Sequence, residues 1–213
     1  MKNRSAAIRA AVYAVCAVVF TVLVKKVGVE AVGPLGSEVG FASLNKTVFD
    51  LIGERKIFDI LSEILAIGAI LTAAAFALKG AVQLFRKKSL FKVDFRLLCL
   101  GAVFLGVIIL YFVFEKMIIN YRPVAPDGVL EASYPSSHTM VTIAIFGCAS
   151  VYAQSCRGYD PKLVLVLRAF CVLAPVLRLL SGQHWLTDII GGCLFSAAFI
   201  ALYRALIGAG ENA

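Results

Sequence analysis

Charge is scarce in this chain: Asp, Glu, Lys and Arg make up 16% of its 213 residues against 61% hydrophobic ones, with a mean hydropathy of +0.89. So little polar surface cannot cover a globule in water, which excludes a soluble domain and leaves a membrane protein. Linkers rich in Pro or Ser, low-complexity tracts and internal repeats are also missing, so a single domain over residues 1–213 is expected. Six cysteines are present, but the loops on the face opposite the termini hold none, which excludes a disulfide framework there and leaves small apolar packing residues. Histidine is the scarcest chemical resource: only His138 and His184 occur, each at the mouth of a long apolar run.

What is abundant is hydrocarbon-length sequence. A spanning helix needs roughly 20 mostly apolar residues. Six runs qualify, near Ala6–Val24, Ile57–Leu78, Leu97–Phe114, Ser136–Ala153, Leu163–Leu180 and Trp185–Tyr203. The predicted fold is therefore all-α, a polytopic bundle of six transmembrane helices. The first run follows Lys2, Arg4 and Arg9 as a signal peptide would, but Lys25 and Lys26 close it and no small-x-small cleavage site appears, so it reads as a span.

An even number of spans puts both termini on one side. Twelve Lys and Arg residues fall on that side, six of them in the second connection (Lys79, Arg86, Lys87, Lys88, Lys92 and Arg96), and eight on the other. The positive-inside bias then places the termini in the cytoplasm, with a bacterial plasma membrane as the expected location. The net charge of +8 suits anionic head groups and asks for no nucleic acid. In the first connection, residues 25–56, the positions Phe41, Leu44, Val48, Leu51 and Ile52 recur at helical spacing, which predicts an extracytoplasmic helix lying in the interface over the bundle mouth.

Parity has a chemical consequence: the third connection, with Lys116, Arg122 and His138, opens on the same face as the fifth, with Arg178, His184 and Asp188. Pro135-Ser136-Ser137 reads as a helix start whose free N–H groups and capping serine make an anion site. His184 and Asp188 share a helical face at a separation of four, so the carboxylate can hold one ring proton and leave the other nitrogen a lone pair. Such a histidine is a nucleophile or base, and the residues alone leave open which of the two histidines plays that part. Arg122, Arg178 and Lys116 suit phosphate oxygens and a transferring phosphoryl group. The rival arrangement, a metal held by His138, His184 and Asp188, is disfavoured because three neighbouring cations repel a divalent ion. Trp185 reads as an interfacial anchor. Asp59 and Glu63, one turn apart near the outer end of the second span, require partners that the sequence does not name.

Three motifs run in order: Lys116-Met-Ile-Ile-Asn-Tyr-Arg122-Pro123; Pro135-Ser136-Ser137-His138; and Leu177-Arg178, five residues, His184, three residues, Asp188. Their order and spacing resemble the type 2 phosphatidic acid phosphatase superfamily, the lipid-phosphatase branch related to vanadium haloperoxidases, over a core of about 97–207. The resemblance implies a six-helix bundle and a cofactor-free, metal-free, two-step phosphoryl transfer. His184 would attack phosphorus, Asp188 would support it, and His138 would protonate the leaving oxygen. Arg122, Arg178, Lys116, Ser136 and the backbone at Ser137 would hold the phosphate, with an isoprenoid diphosphate or a phosphatidic-acid-type lipid as substrate.

The chain departs from the family pattern in three places. One residue is missing between Lys116 and Arg122, so Glu115 occupies the lysine's register; Leu177 stands for a serine; and Ser137 stands for a glycine. These departures keep two alternatives in view, a lipid phosphotransferase using the same intermediate and a non-enzymatic lipid-binding or transport relative.

Overall fold

The computed structural model describes residues 2–210, and among them there are seven α-helices and no strand: α1 Lys2–Lys26, α2 Ala42–Ile52, α3 Lys56–Lys87, α4 Phe95–Met117, α5 Ser137–Ser155, α6 Pro161–Leu180 and α7 Leu186–Gly210. Local sequence sets several boundaries. Asp94 caps α4 by accepting from Arg96 N, Asp160 caps α6 ahead of Pro161, and Ser136 caps α5 by accepting from Thr139 N.

Five helices (α1, α3, α4, α6 and α7) are long and apolar enough to cross a bilayer. Their outward faces carry Val15, Val18, Ile70, Leu105, Phe112, Leu165 and Val172, each at least half exposed. A belt of this kind is costly in water and neutral in lipid. Helix α3, at 32 residues, is about 48 Å long and overshoots a hydrocarbon core of roughly 30 Å, so Arg86 and Lys87 at its end reach polar surroundings.

The expected fourth span, 136–153, is helical but is not among those five. The reason is its position: α5 is central, with Thr139, Thr142 and Ser150 among its thirteen buried residues. A helix enclosed by other helices need not be apolar all round, because protein rather than lipid meets its polar groups. It packs on α6, α7, α3 and α4, while α1 lies along the outside of α7.

Both ends of the bundle are tied by polar groups. At one, Arg96 bonds Ser155 O (2.8 Å) and Lys79 Nζ bonds Tyr152 Oη (2.9 Å), joining α3, α4 and α5. At the other end lie the first residues of α3, α5 and α7 and the last of α4 and α6. Helix α2 covers that end, since its buried Asn45 donates to Thr187 Oγ1 (2.9 Å) and its Phe49 ring sits 5.6 Å from that of Trp185. Leu44 and Leu51 of α2 face outward. Trp185 is thus no lipid anchor: it is 2% exposed and donates Nε1–H to Tyr121 O (2.7 Å), a buried use of the indole that periodicity could not distinguish from an interfacial one. The six cysteines are all free thiols.

Candidate active site

Four segments supply the site, and each is fixed by its own backbone. The loop 118–136 folds back on itself, with a bridge between Tyr121 and Ala132 and bonds from Arg122 N to Glu131 O (3.0 Å) and Ser133 N to Asn120 O (2.9 Å). Its tip, Pro126-Asp127-Gly128, carries two positive φ values, and the fold-back sets Asn120 and Ser133 side by side. Ser136 N then donates to Asp188 O (3.0 Å), which joins the starts of α5 and α7. The turn between α6 and α7 is clamped by the chain ahead of α3, through Arg55 N to Ser181 O (3.1 Å) and Gln183 Nε2 to Glu54 Oε1 (3.1 Å). Gly182 makes this turn possible: its φ is +71°, and a Cβ there would overlap the Gly53 carbonyl.

His184 and Asp188 are buried, at 3% and 0% exposure. Their contact is indirect. Nδ1 of His184 is 3.7 Å from Asp188 Oδ2, beyond hydrogen-bond range, and Ser133 Oγ stands between them, 3.1 Å from Nδ1 and donating to Oδ2. Asp188 also accepts from Trp185 N (3.0 Å) and Asn120 Nδ2 (3.3 Å). Because Ser133 spends its proton on the carboxylate, its oxygen accepts from His184 Nδ1–H, which leaves Nε2 as the lone pair. Burial, followed by the positive charges of Arg178 and Arg122 and by His138, holds the His184 imidazole well below its ordinary pKa, so the ring is neutral.

Arg178, 2% exposed, donates from Nη1 to Asp59 Oδ1 (2.6 Å) and Ser62 Oγ (3.3 Å). His138 Nε2 lies 2.9 Å from Glu63 Oε1. The two acids whose partners the sequence did not name therefore meet an arginine and a histidine of the second and third motifs. Arg122 Nε is 3.2 Å from Glu131 Oε2, but its N–H does not point at that oxygen. Among the described residues, five buried side-chain polar atoms lack a hydrogen-bond partner, and four belong to this cluster: Arg122 Nε, His138 Nδ1, Arg178 Nε and His184 Nε2. Burying the two guanidinium N–H groups unpaired is expensive unless an acceptor such as an oxyanion meets them, and the bare Nε2 of His184 calls for a donor or an electrophile.

Of the predicted site residues, His138, His184, Asp188, Arg122 and Arg178 converge. Ser136 caps α5 and bonds Thr139 Oγ1 (3.0 Å), and Ser137 lines the cavity that reaches His184. Lys116 is exposed in the last turn of α4, and it is Glu115 that lines that cavity beside His184. Ser133 and Asn120 were not legible as site residues, since no spacing rule marks a loop residue that acts through a fold-back. A cavity against His184 has room for about one water (≈ 10 Å³), and next to it an apolar groove of ≈ 240 Å³ runs along Ala66, Ile70, Val141 and His138. Tyr111 and Ser137 border both. No group of three or more His, Cys, Asp or Glu side chains is arranged to hold a metal ion among the described residues.

The family model for the PAP2 superfamily matches residues 64–209, which include all three motifs. The chain belongs to the PAP2 superfamily. Its fold is similar to that of a transmembrane PAP2-type phosphatidylglycerolphosphate phosphatase from Bacillus subtilis, with a TM-score of 0.64 at 18% identity over 96% of each chain. It is also similar to LpxE of Aquifex aeolicus, with a TM-score of 0.50 at 19% identity over 78% of this chain and 95% of that one. No curated protein matches the sequence significantly. At these identities the structural likeness speaks for the fold alone.

Proposed function

We propose that this PAP2 protein is an integral-membrane lipid phosphatase that hydrolyses a lipid phosphomonoester or diphosphate through a phosphohistidine on His184, without a metal. The observation that carries the reading is the set of four buried nitrogens on Arg122, Arg178, His138 and His184 that lack partners. A tetrahedral phosphate offers acceptor oxygens to the two arginines and an electrophile to the neutral Nε2. Asp188, acting through Ser133, keeps the proton on Nδ1 and stabilises the positive charge that grows on the ring as Nε2 bonds phosphorus. His138 gives its proton to the departing oxygen, and in the second step it accepts one from the water that cleaves the P–N bond. Ser136 and Ser137 complete the proposed phosphate shell, and the expected Lys116 is left out of it, because the lysine is exposed and Glu115 lines the cavity instead.

The apolar groove beside His138 suits a lipid tail, with the phosphate passing Tyr111 and Ser137 to reach His184. In this reading α1 and α3–α7 are six spans, α2 lies in the outer interface, the termini are cytoplasmic, and the catalytic face is extracytoplasmic in a bacterial plasma membrane. Substrates to compare are phosphatidic acid, phosphatidylglycerol phosphate and an isoprenoid diphosphate. The test is phosphate release by purified protein from this panel, with His184→Ala, a chelator and excess acceptor lipid as separate arms. Release that survives His184→Ala, or that stops with chelator, overturns the mechanism; a new phospholipid formed in the acceptor arm assigns a phosphotransferase instead.

A further inference from the structure

Helix α3 lies wholly outside the three motifs, yet Asp59, Ser62 and Glu63 follow one another along a face directed at the site. A carboxylate near the end of an apolar helix is expensive unless paired, and each of these two is. Glu63 bears directly on proton transfer. Its Oε1 lies 2.9 Å from His138 Nε2 and 3.8 Å from Arg178 Nη1. An imidazole has two nitrogens, so a ring that donates Nε2–H to a carboxylate on one side can exchange a proton only through Nδ1 on the other. That Nδ1 is buried and lacks a partner, as do Arg122 Nε, Arg178 Nε and His184 Nε2.

We propose that Glu63 is a positioning residue that holds His138 by Nε2, which makes Nδ1 the nitrogen that protonates the leaving oxygen and lends a negative charge to the imidazolium that does so. The inference rests on the phosphatase reading. In the transfer step the His184 Nε2–P bond forms and the bond from phosphorus to the leaving oxygen breaks, its electron pair staying on oxygen. The Nδ1 proton moves to that oxygen, and His138 is left neutral with Nε2–H still on Glu63. Facing this ring are Glu63 and, through Arg178, Asp59 from α3; Arg178 from α6; Arg122, itself against Glu131, from the loop; and His184 from the turn, while Glu115 of α4 lines the separate cavity against His184. Both arginines oppose a charged imidazole, and Glu63 is the carboxylate in contact with it to compensate.

The experiment compares wild type with Glu63→Gln, which keeps an acceptor oxygen and removes the charge, on phosphatidic acid and on p-nitrophenyl phosphate. An alkoxide needs a proton to leave, whereas p-nitrophenolate barely does. Expected are a roughly tenfold loss of kcat/KM on phosphatidic acid, with its alkaline limb moved to lower pH, and a change within about twofold on p-nitrophenyl phosphate. Equal losses on both substrates, or none on either, overturn the inference. Wild-type turnover that survives His184→Ala overturns the phosphatase reading instead. A readout independent of activity is 15N NMR, since with only two histidines His138→Gln and His184→Gln assign both rings. Expected for the neutral ring, read above its titration, is a His138 proton on Nε2 that Glu63→Ala releases to a tautomer mixture, and a neutral wild-type ring with its single proton on Nδ1 overturns the proposal.

Discussion

Replacing Ser133 with alanine removes the single atom that links His184 to Asp188. In the wild type, Ser133 Oγ accepts from Nδ1 at 3.1 Å and donates to Oδ2, while the direct distance from Nδ1 to Oδ2 is 3.7 Å. Without the hydroxyl the ring proton faces a carboxylate too distant to hold it, and a buried pair separated by a methyl group cannot close up without moving α7. A hydrogen bond to a charged group is worth about 1.5–3 kcal/mol. If that stabilisation is felt by the imidazolium-like transition state, at ~1.36 kcal/mol per decade kcat falls about 10- to 150-fold with KM little changed. The assay is phosphate release at saturating lipid, read beside thermal unfolding of the same preparation. A folded Ser133→Ala protein with kcat within about twofold of wild type would refute the bridge, and with it the claim that Asp188 acts through Ser133.

Burial and neighbouring cations disfavour protonated His184, so its lone pair persists to lower pH than that of a free imidazole; the acid limb of kcat/KM should lie below pH 6.5 and move up when Arg122→Gln removes one of those charges. The same sign governs stability: a depressed histidine pKa costs nothing above the unfolded value and destabilises as pH falls below it, which pH-dependent melting will read. Lys116→Ala should leave kcat/KM within about twofold, because the lysine is exposed, whereas Glu115→Lys should lower KM about fivefold, the worth of ~1 kcal/mol for a partly exposed pair. Gly182→Ala forces a side chain into a left-handed turn and against the Gly53 carbonyl, so the thermal midpoint should drop by roughly 5 °C and activity should fall with it. A chelator should leave phosphate release unchanged, measured on protein stripped and then assayed without added metal.

The helices and the gathering of the motifs were legible in the sequence because both follow from one-dimensional rules. Apolar run length marks helices that reach across lipid, and parity sends alternate connections to one side, which is why His138, Arg178, His184 and Asp188 could be grouped before any coordinates. The same rule is silent about which helix is enclosed. Helix α5 reads as one more apolar run, yet its threonines and serines are tolerated only because four helices surround it. Trp185 shows the converse error, an indole that looks interfacial by position and is buried by α2.

What sequence alone determined, then, is the chemistry at hand: two histidines, the arginines and one aspartate at fixed spacings, on a chain too apolar for water. Tertiary structure decided who touches whom. Ser133 reaches between His184 and Asp188 through a loop fold-back, and Asp59 and Glu63 meet Arg178 and His138 more than seventy residues away in the chain. Such contacts depend on how helices dock, and docking is fixed by burial and backbone pairing across the bundle, which no local pattern encodes.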